Sequence, residues 1–93
     1  NQEVVLRGET LQLLPREYKF LSILADAAPK KVSYKAMGES MWGEDNEKTR
    51  SHLKTIVFSL RQKMELDPTS PRLILNYRGV GYQLEVSKSS TGK

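Results

Sequence analysis

The sequence predicts an α+β domain with strands at its two ends and three helices between them. Three observations carry this. β-Prone runs precede Pro15, apolar residues recur at helical spacing from Leu14 to Met64, and two further β-prone runs flank Gly79-Val80-Gly81. Strands and helices do not alternate, which argues against a doubly wound parallel sheet. Ninety-three residues suit one domain with a modest core. That domain is expected over 1–86, followed by a polar, disordered tail at 87–93.

The elements follow in order. Glu3–Arg7 and Thr10–Leu14 read as two strands of a hairpin turning at Arg7-Gly8-Glu9. Pro15 opens the first helix where its missing N–H costs nothing, and Pro29 ends it. Leu14, Tyr18, Leu21, Ala25 and Ala28 fall at helical spacing, widened by Phe20 and Leu24. Leu13 is placed to staple against Tyr18, and Glu17 occupies the acid position of a capping box.

Ser33 is an N-cap for a second helix running to about Trp42, with Ala36, Met37 and Met41 on its apolar side. Gly38 weakens its middle by roughly 1 kcal/mol relative to alanine. Gly43 closes it, and Glu44–Glu47 form a polar loop. The third helix, about Lys48–Leu66, is the most clearly patterned, with Leu53, Ile56, Val57, Leu60 and Met64 in one arc. The Asp67–Pro71 stretch cannot continue it. Leu73–Arg78 and Tyr82–Val86 then read as strands around a turn in which Gly79 and Gly81 permit positive φ. Tyr82, Leu84 and Val86 alternate with polar residues, so one side of the returning strand anchors to the core.

Charge is unevenly distributed. Residues 1–47 carry six Lys/Arg against eight Asp/Glu, whereas residues 48–93 carry nine against three. From Lys48 to Met64 five basic residues occur without one acid, which points the second half toward an anionic partner. No apolar run approaches the ~20 residues of a membrane span, and no signal-peptide pattern opens the chain. The absence of cysteine excludes disulfides and thiolate metal sites and fits a reducing, cytoplasmic setting.

Enzymatic readings find little support. His52 is the only histidine, so it has no second imidazole or thiol with which to share a metal, and it reads as a surface or interface residue. Glu44, Asp45 and Glu47 lack the ligand spacing of a calcium loop. Gly79-Val80-Gly81 is not a phosphate loop, because no helix follows to present its N-terminus. No catalytic residue, metal or cofactor is therefore assigned.

The third helix offers more. At ~100° per residue its stripe of Lys48, Ser51, Thr55, Phe58, Ser59 and Gln62 lies opposite the apolar arc, with Arg50, Lys54 and Arg61 along one flank. Small and amide-bearing side chains bounded by cations suit a helix in a DNA major groove. Phe58 either touches a thymine methyl or lies against a neighbouring loop. Arg78, at the lip of the glycine turn, is the residue type that suits a narrow minor groove.

"LLPREYKFLSIL", "VSYKAMGESMWG", "HLKTIVFSLRQKME", "DPTSPRLI" and "RGVGYQL" occur in that order and together resemble the C-terminal effector domain of OmpR/PhoB-type response regulators. The resemblance covers roughly Thr10–Val86. It implies a winged helix-turn-helix with N-terminal antiparallel strands, a three-helix core and a C-terminal β-hairpin wing. By position it places Ser51, Lys54, Thr55, Phe58, Ser59 and Gln62 at the major groove, and Trp42, Lys48, Arg50, Arg61 and Tyr82 at phosphates. Asn76, Tyr77 and Arg78 fall in the minor-groove wing, and Glu44, Asp45, Asn46 and Glu47 in a loop facing RNA polymerase.

The implied partners are promoter half-sites bound as a dimer, RNA polymerase and a receiver domain. No receiver with its phosphoacceptor aspartate lies within these residues, which implies either a fragment or a stand-alone domain. The sequence also departs from the family pattern. Leu14 stands where Thr or Ser usually caps the first helix, a loss of ~1 kcal/mol. Gly38 replaces an apolar residue, which implies a loosely packed second helix. Phe58-Ser59 replaces arginines, and the chain starts too late for the full four-stranded N-terminal sheet. Phe58 and the missing arginines favour the alternative of a winged-helix module that contacts polymerase or a partner domain instead of DNA.

Overall fold

A computed structural model describes residues 2–85, so Val86 and the 87–93 tail lie outside the described residues. The chain opens with β1 (Gln2–Leu6) and β2 (Glu9–Leu13), paired antiparallel with Leu6 opposite Glu9. The two-residue turn Arg7-Gly8 has φ of 51° and 80°, the doubly positive geometry of a tight hairpin. Both strands are shifted by one residue from expectation. Among the described residues the sheet they form has two strands.

Three helices follow: α1 (Pro15–Ala27), α2 (Tyr34–Trp42) and α3 (Glu47–Met64). Between α1 and α2 the two residues of β3 (Val32–Ser33), not anticipated from sequence, join a second sheet. Its other members are β4 (Ile74–Tyr77) and β5 (Gly81–Leu84), in the order β3-β5-β4. The architecture is the α+β winged helix: strands, a three-helix core, and a hairpin wing whose central strand also pairs with β3. One core unites them, with Leu13, Phe20, Leu24, Met37, Leu53, Leu60 and Ile74 almost fully buried.

The buried stripe of α1 differs from the expected one. Glu17, Phe20, Leu21 and Leu24 are buried, whereas Leu14, Tyr18 and Ala25 are exposed. The stripe keeps helical spacing but has a carboxylate as its first member, which hides it from a count of apolar residues. Only one half of the capping box exists. Glu17 Oε1 accepts the Leu14 N–H at 2.9 Å, and Leu14 has no side-chain oxygen with which to return the bond.

Two glycines are needed for close approach. A Cβ on Gly81 would stand 2.0 Å from the Val32 carbonyl oxygen, so β5 pairs with β3 at this point only through glycine. In the wing turn Gly79 has positive φ, at 79°, and Val80 N–H bonds the Tyr77 carbonyl at 2.8 Å. The expectation of positive φ at both glycines is thus corrected for Gly81, whose constraint is space. Gly38 is likewise buried, and a Cβ there would meet the Glu44 carbonyl oxygen at 2.8 Å. The expected loose packing of α2 is reversed: the missing side chain lets the α2–α3 turn sit directly on the helix.

Gly38→Ala is therefore expected to destabilise the domain. The helix-propensity gain of about 1 kcal/mol is outweighed by overpacking against backbone, at about 1–3 kcal/mol. Urea unfolding should show a lowered midpoint, and a raised midpoint would mean that the turn relaxes freely around the methyl group.

Candidate nucleic-acid interface

The interface is built on α3, whose start is fixed by a reciprocal cap. Asn46 Oδ1 accepts the Thr49 N–H at 2.9 Å, and Thr49 Oγ1 accepts the Asn46 N–H at 2.9 Å. The expected Glu44–Glu47 loop is accordingly shorter. Asn46 is the cap, Glu47 is the first helical residue, and only Glu44 and Asp45 remain between Gly43 and the cap. Asp45 binds the Arg50 guanidinium at 2.9 and 3.0 Å, and Arg50 lies over the Tyr34 ring at 5.5 Å. The guanidinium holds the Asp45 carboxyl below the usual carboxylate range.

Along the outward face, Lys48, Ser51, Lys54, Thr55, Phe58 and Gln62 are exposed, as expected. Thr55 donates its hydroxyl to the Ser51 carbonyl at 3.3 Å. Phe58 is 66% exposed, so no loop covers it. Two expected members leave this surface. Ser59 donates its hydroxyl to Glu17 Oε2 and is drawn toward the core. Arg61 is half-buried and donates through Nε and Nη2 to the Ile74 carbonyl at 3.1 and 2.9 Å, which makes it a strut between α3 and the wing.

Glu17 is fully buried and joins α1 to α3. Beside the Ser59 bond, Lys63 Nζ lies 2.6 Å from Glu17 Oε1. Burial by itself pushes the Glu17 carboxyl up. Hydrogen bonds from Lys63, Ser59 and the Leu14 N–H outweigh it and hold the group below its ordinary value. A second buried carboxylate, Glu65, ends α3. It accepts the backbone N–H groups of Arg72 at 2.8 Å, Leu73 at 2.9 Å and Ile74 at 2.8 Å. Sequence reasoning singles out neither Lys63 nor Glu65. Lys63 lies one turn beyond Ser59, on the flank of α3 that faces α1, and its role exists only once α1 packs there. Acids set beside strongly apolar stripes, at Glu17 and Glu65, are the usable signal in the sequence.

The wing stands beside α3 across a cleft of about 370 Å³ lined by Tyr34, Arg50, Lys54, Asn76, Arg78 and Tyr82. Arg78 is exposed at its lip. The Tyr34 hydroxyl donates to Asn76 Oδ1 at 2.7 Å, which leaves the Asn76 amide hydrogens to the cleft. Tyr77 is occupied on its ring face by Lys31 Nζ, 4.4 Å from the centroid. Tyr82, expected at a phosphate, is only 3% exposed. Its ring packs edge-on against Phe20 and Tyr34, at 5.5 and 5.3 Å, so it is foremost a core residue. Burial pushes its phenol up.

Trp42 closes α2 and meets His52 edge-on at 5.6 Å on the surface. Among the described residues no group of three or more His, Asp or Glu side chains is placed to hold a metal, and no helix is long and apolar enough to cross a membrane.

A family model described as "Transcriptional regulatory protein, C terminal" matches residues 8–84. The KDP operon transcriptional regulatory protein KdpE of Escherichia coli K12 is 32% identical over 81 residues, covering 86% of this chain and 36% of KdpE. The chain thus spans about a third of the length of such relatives. Among solved structures, the response regulator DrrB of Thermotoga maritima, an OmpR/PhoB homologue, superposes with a TM-score of 0.74 at 30% identity, covering 85% of this chain and 36% of DrrB. The DNA-binding domain of the response regulator AdeR, solved with an intercistronic region, gives 0.72 at 26% identity, covering 89% and 84% of the two chains.

The Glu17 cluster predicts acid sensitivity with a definite sign. A carboxyl held below its unfolded value stabilises the fold above that value, and the contribution is lost as pH falls through the folded one. Urea midpoints measured from neutral pH down to about pH 3 should fall more steeply for the parent than for Glu17→Gln below about pH 5. Parallel curves would show that the cluster does not couple protonation to folding.

Proposed function

Since the chain belongs to the family of C-terminal domains of transcriptional regulatory proteins, of OmpR/PhoB type, we propose that it binds double-stranded DNA sequence-specifically, as the DNA-reading part of a bacterial two-component response regulator. The observation that carries this is the outward face of α3. Ser51, Thr55 and Gln62 lie exposed along its centre, and Lys54, Arg50 and Arg78 gather on one side of it. Side chains that reach base edges are thus bordered by cations that reach phosphates.

In this reading α3 enters the major groove with Ser51, Thr55 and Gln62 toward base edges and Lys54 at its margin. Phe58 packs on a thymine methyl. Lys48, Arg50 and Trp42 take backbone phosphates, and the Tyr82 hydroxyl reaches one from the cleft. Asn76 and Arg78 meet the adjacent minor groove, with Tyr77 holding the wing through Lys31. Ser59 and Arg61 are structural. Half-sites are bound by a dimer in the cytoplasm, a receiver domain precedes the domain in the full-length regulator, and Glu44 and Glu47 form the acidic spot offered to RNA polymerase. No catalytic step belongs to the domain.

A second reading rests on the exposure of Phe58, which also suits a protein partner. A chemical-shift titration with duplex DNA separates the two. Shifts along α3 and the wing support DNA binding, and shifts confined to Glu44–Glu47, or none, support the protein-interaction module.

Selection of bound duplexes from a random pool should recover a half-site, and two variants then test the docking. Thr55→Ala should change base preference within it, by about 1 kcal/mol of discrimination. Arg78→Ala should weaken binding mainly where the flanks are A·T-rich. Equal affinities for both variants and the parent in a gel-shift titration would remove this docking.

A further inference from the structure

Resting on the DNA-binding reading, we infer that Arg16 and His52 form a second phosphate site, on the flank of α3 opposite the wing, that takes the other strand of the duplex. Arg16 in the first turn of α1, Trp42 at the end of α2, and His52, Thr55 and Ile56 of α3 line an open cleft of about 340 Å³. Its floor is apolar, with Ile56 buried, while Arg16 and His52 are exposed at its walls. No carboxylate lines it among the described residues.

Position around the helix gives this cleft its meaning. At ~100° per residue, Lys54 and His52 lie roughly 160° apart around the axis of α3, with Ser51 and Thr55 between them. Lys54 borders the wing cleft and His52 the Arg16 cleft. Thr55 belongs both to the outward face and to the Arg16 cleft, so the two surfaces are continuous. A helix seated in a major groove ~12 Å wide has one phosphate backbone on each side. The wing-side cations serve one strand, and the opposite strand meets Arg16 and His52. The guanidinium supplies charge and paired N–H donors for phosphate oxygens. The His52 ring, set by its edge contact with Trp42, supplies one more N–H.

The test uses fluorescence anisotropy on the duplex selected above, with binding measured across a salt series. Each lost phosphate contact makes the slope of log K against log salt shallower by about 0.9. Arg16→Ala is expected to show that change and to weaken all half-site sequences alike, with base preference unaltered. His52→Ala should weaken binding in the same uniform way. Arg72→Ala removes a cation that lines a different cleft, beside Arg7 and Glu65, and should leave the slope at the parent value. Arg16→Glu guards against a weak effect, because a reversed charge must lower affinity further if a phosphate sits there. A parent slope retained in both Arg16 variants, with DNA still bound, overturns this inference and leaves the DNA reading standing. A parent that binds no duplex in the selection overturns both.

Discussion

The relation between α3 and the wing depends on one carboxylate. Glu65 follows the last residue of α3 and accepts three consecutive backbone N–H groups, from Arg72, Leu73 and Ile74. A negative charge at a helix C-terminus is unfavourable by about 0.3–1 kcal/mol. Each hydrogen bond to a charged acceptor contributes about 1.5–3 kcal/mol, so the clamp prevails. Arg61 completes it from the other side by donating to the Ile74 carbonyl. Both backbone polar groups of Ile74 are therefore answered by side chains at the end of α3. The wing cannot swing away without stranding a buried charge, which fixes the distance at which Arg78 stands from the face of Thr55.

A similar device sets the other side of α3. Glu17 anchors Ser59 and Lys63, so α1 is registered against α3 by ionic and hydrogen-bonded contacts as well as by apolar packing. Sequence reasoning gives α3 one apolar arc and one polar arc. The folded helix has a third sector, between them, in which polar side chains turn inward to a buried partner. Ser59 belongs to that sector. Its neighbour Phe58, about 100° away around the helix, is left facing solvent.

The order of elements, the two hairpins and the apolar arc of α3 are legible in the sequence because they depend on local periodicity and on proline and glycine positions. What is not legible depends on partners distant in sequence. The stripe of α1 escapes an apolar count because its first buried member is charged, and Glu17 is buried only because Ser59 and Lys63 arrive from α3. β3 is two residues long and carries no periodicity, so it exists only where Gly81 lets the wing approach. The alternation along β5 already puts Tyr82 on the core-facing side, but its ring partners Phe20 and Tyr34 lie far away in sequence and are not readable there. The exposure of Ser51, Lys54, Thr55 and Gln62 is readable in advance, since exposure on a strongly patterned helix follows from the helix itself.

These placements divide the labour of the surface. The polar residues that sit on the flanks of α3 lie in clefts that hold cations and whose walls belong to other elements: α1 and α2 on one side, α2 and the wing on the other. Residues along the centre are short or neutral and are held by α3 alone. A change at the centre leaves the packing untouched, so under the proposed docking base preference is free to vary with little cost to the fold. A change that moves α1 or the wing alters where cations stand relative to the helix, and under the proposed docking it acts on phosphate binding first. Under the proposed docking, affinity is tied to tertiary structure through Glu17 and Glu65, while specificity is confined to a single face of α3. Phe58 and Ser59 fall at the boundary between the two: Ser59 joins the scaffold through Glu17, and Phe58 is the apolar group left exposed, which the proposed docking turns toward the groove.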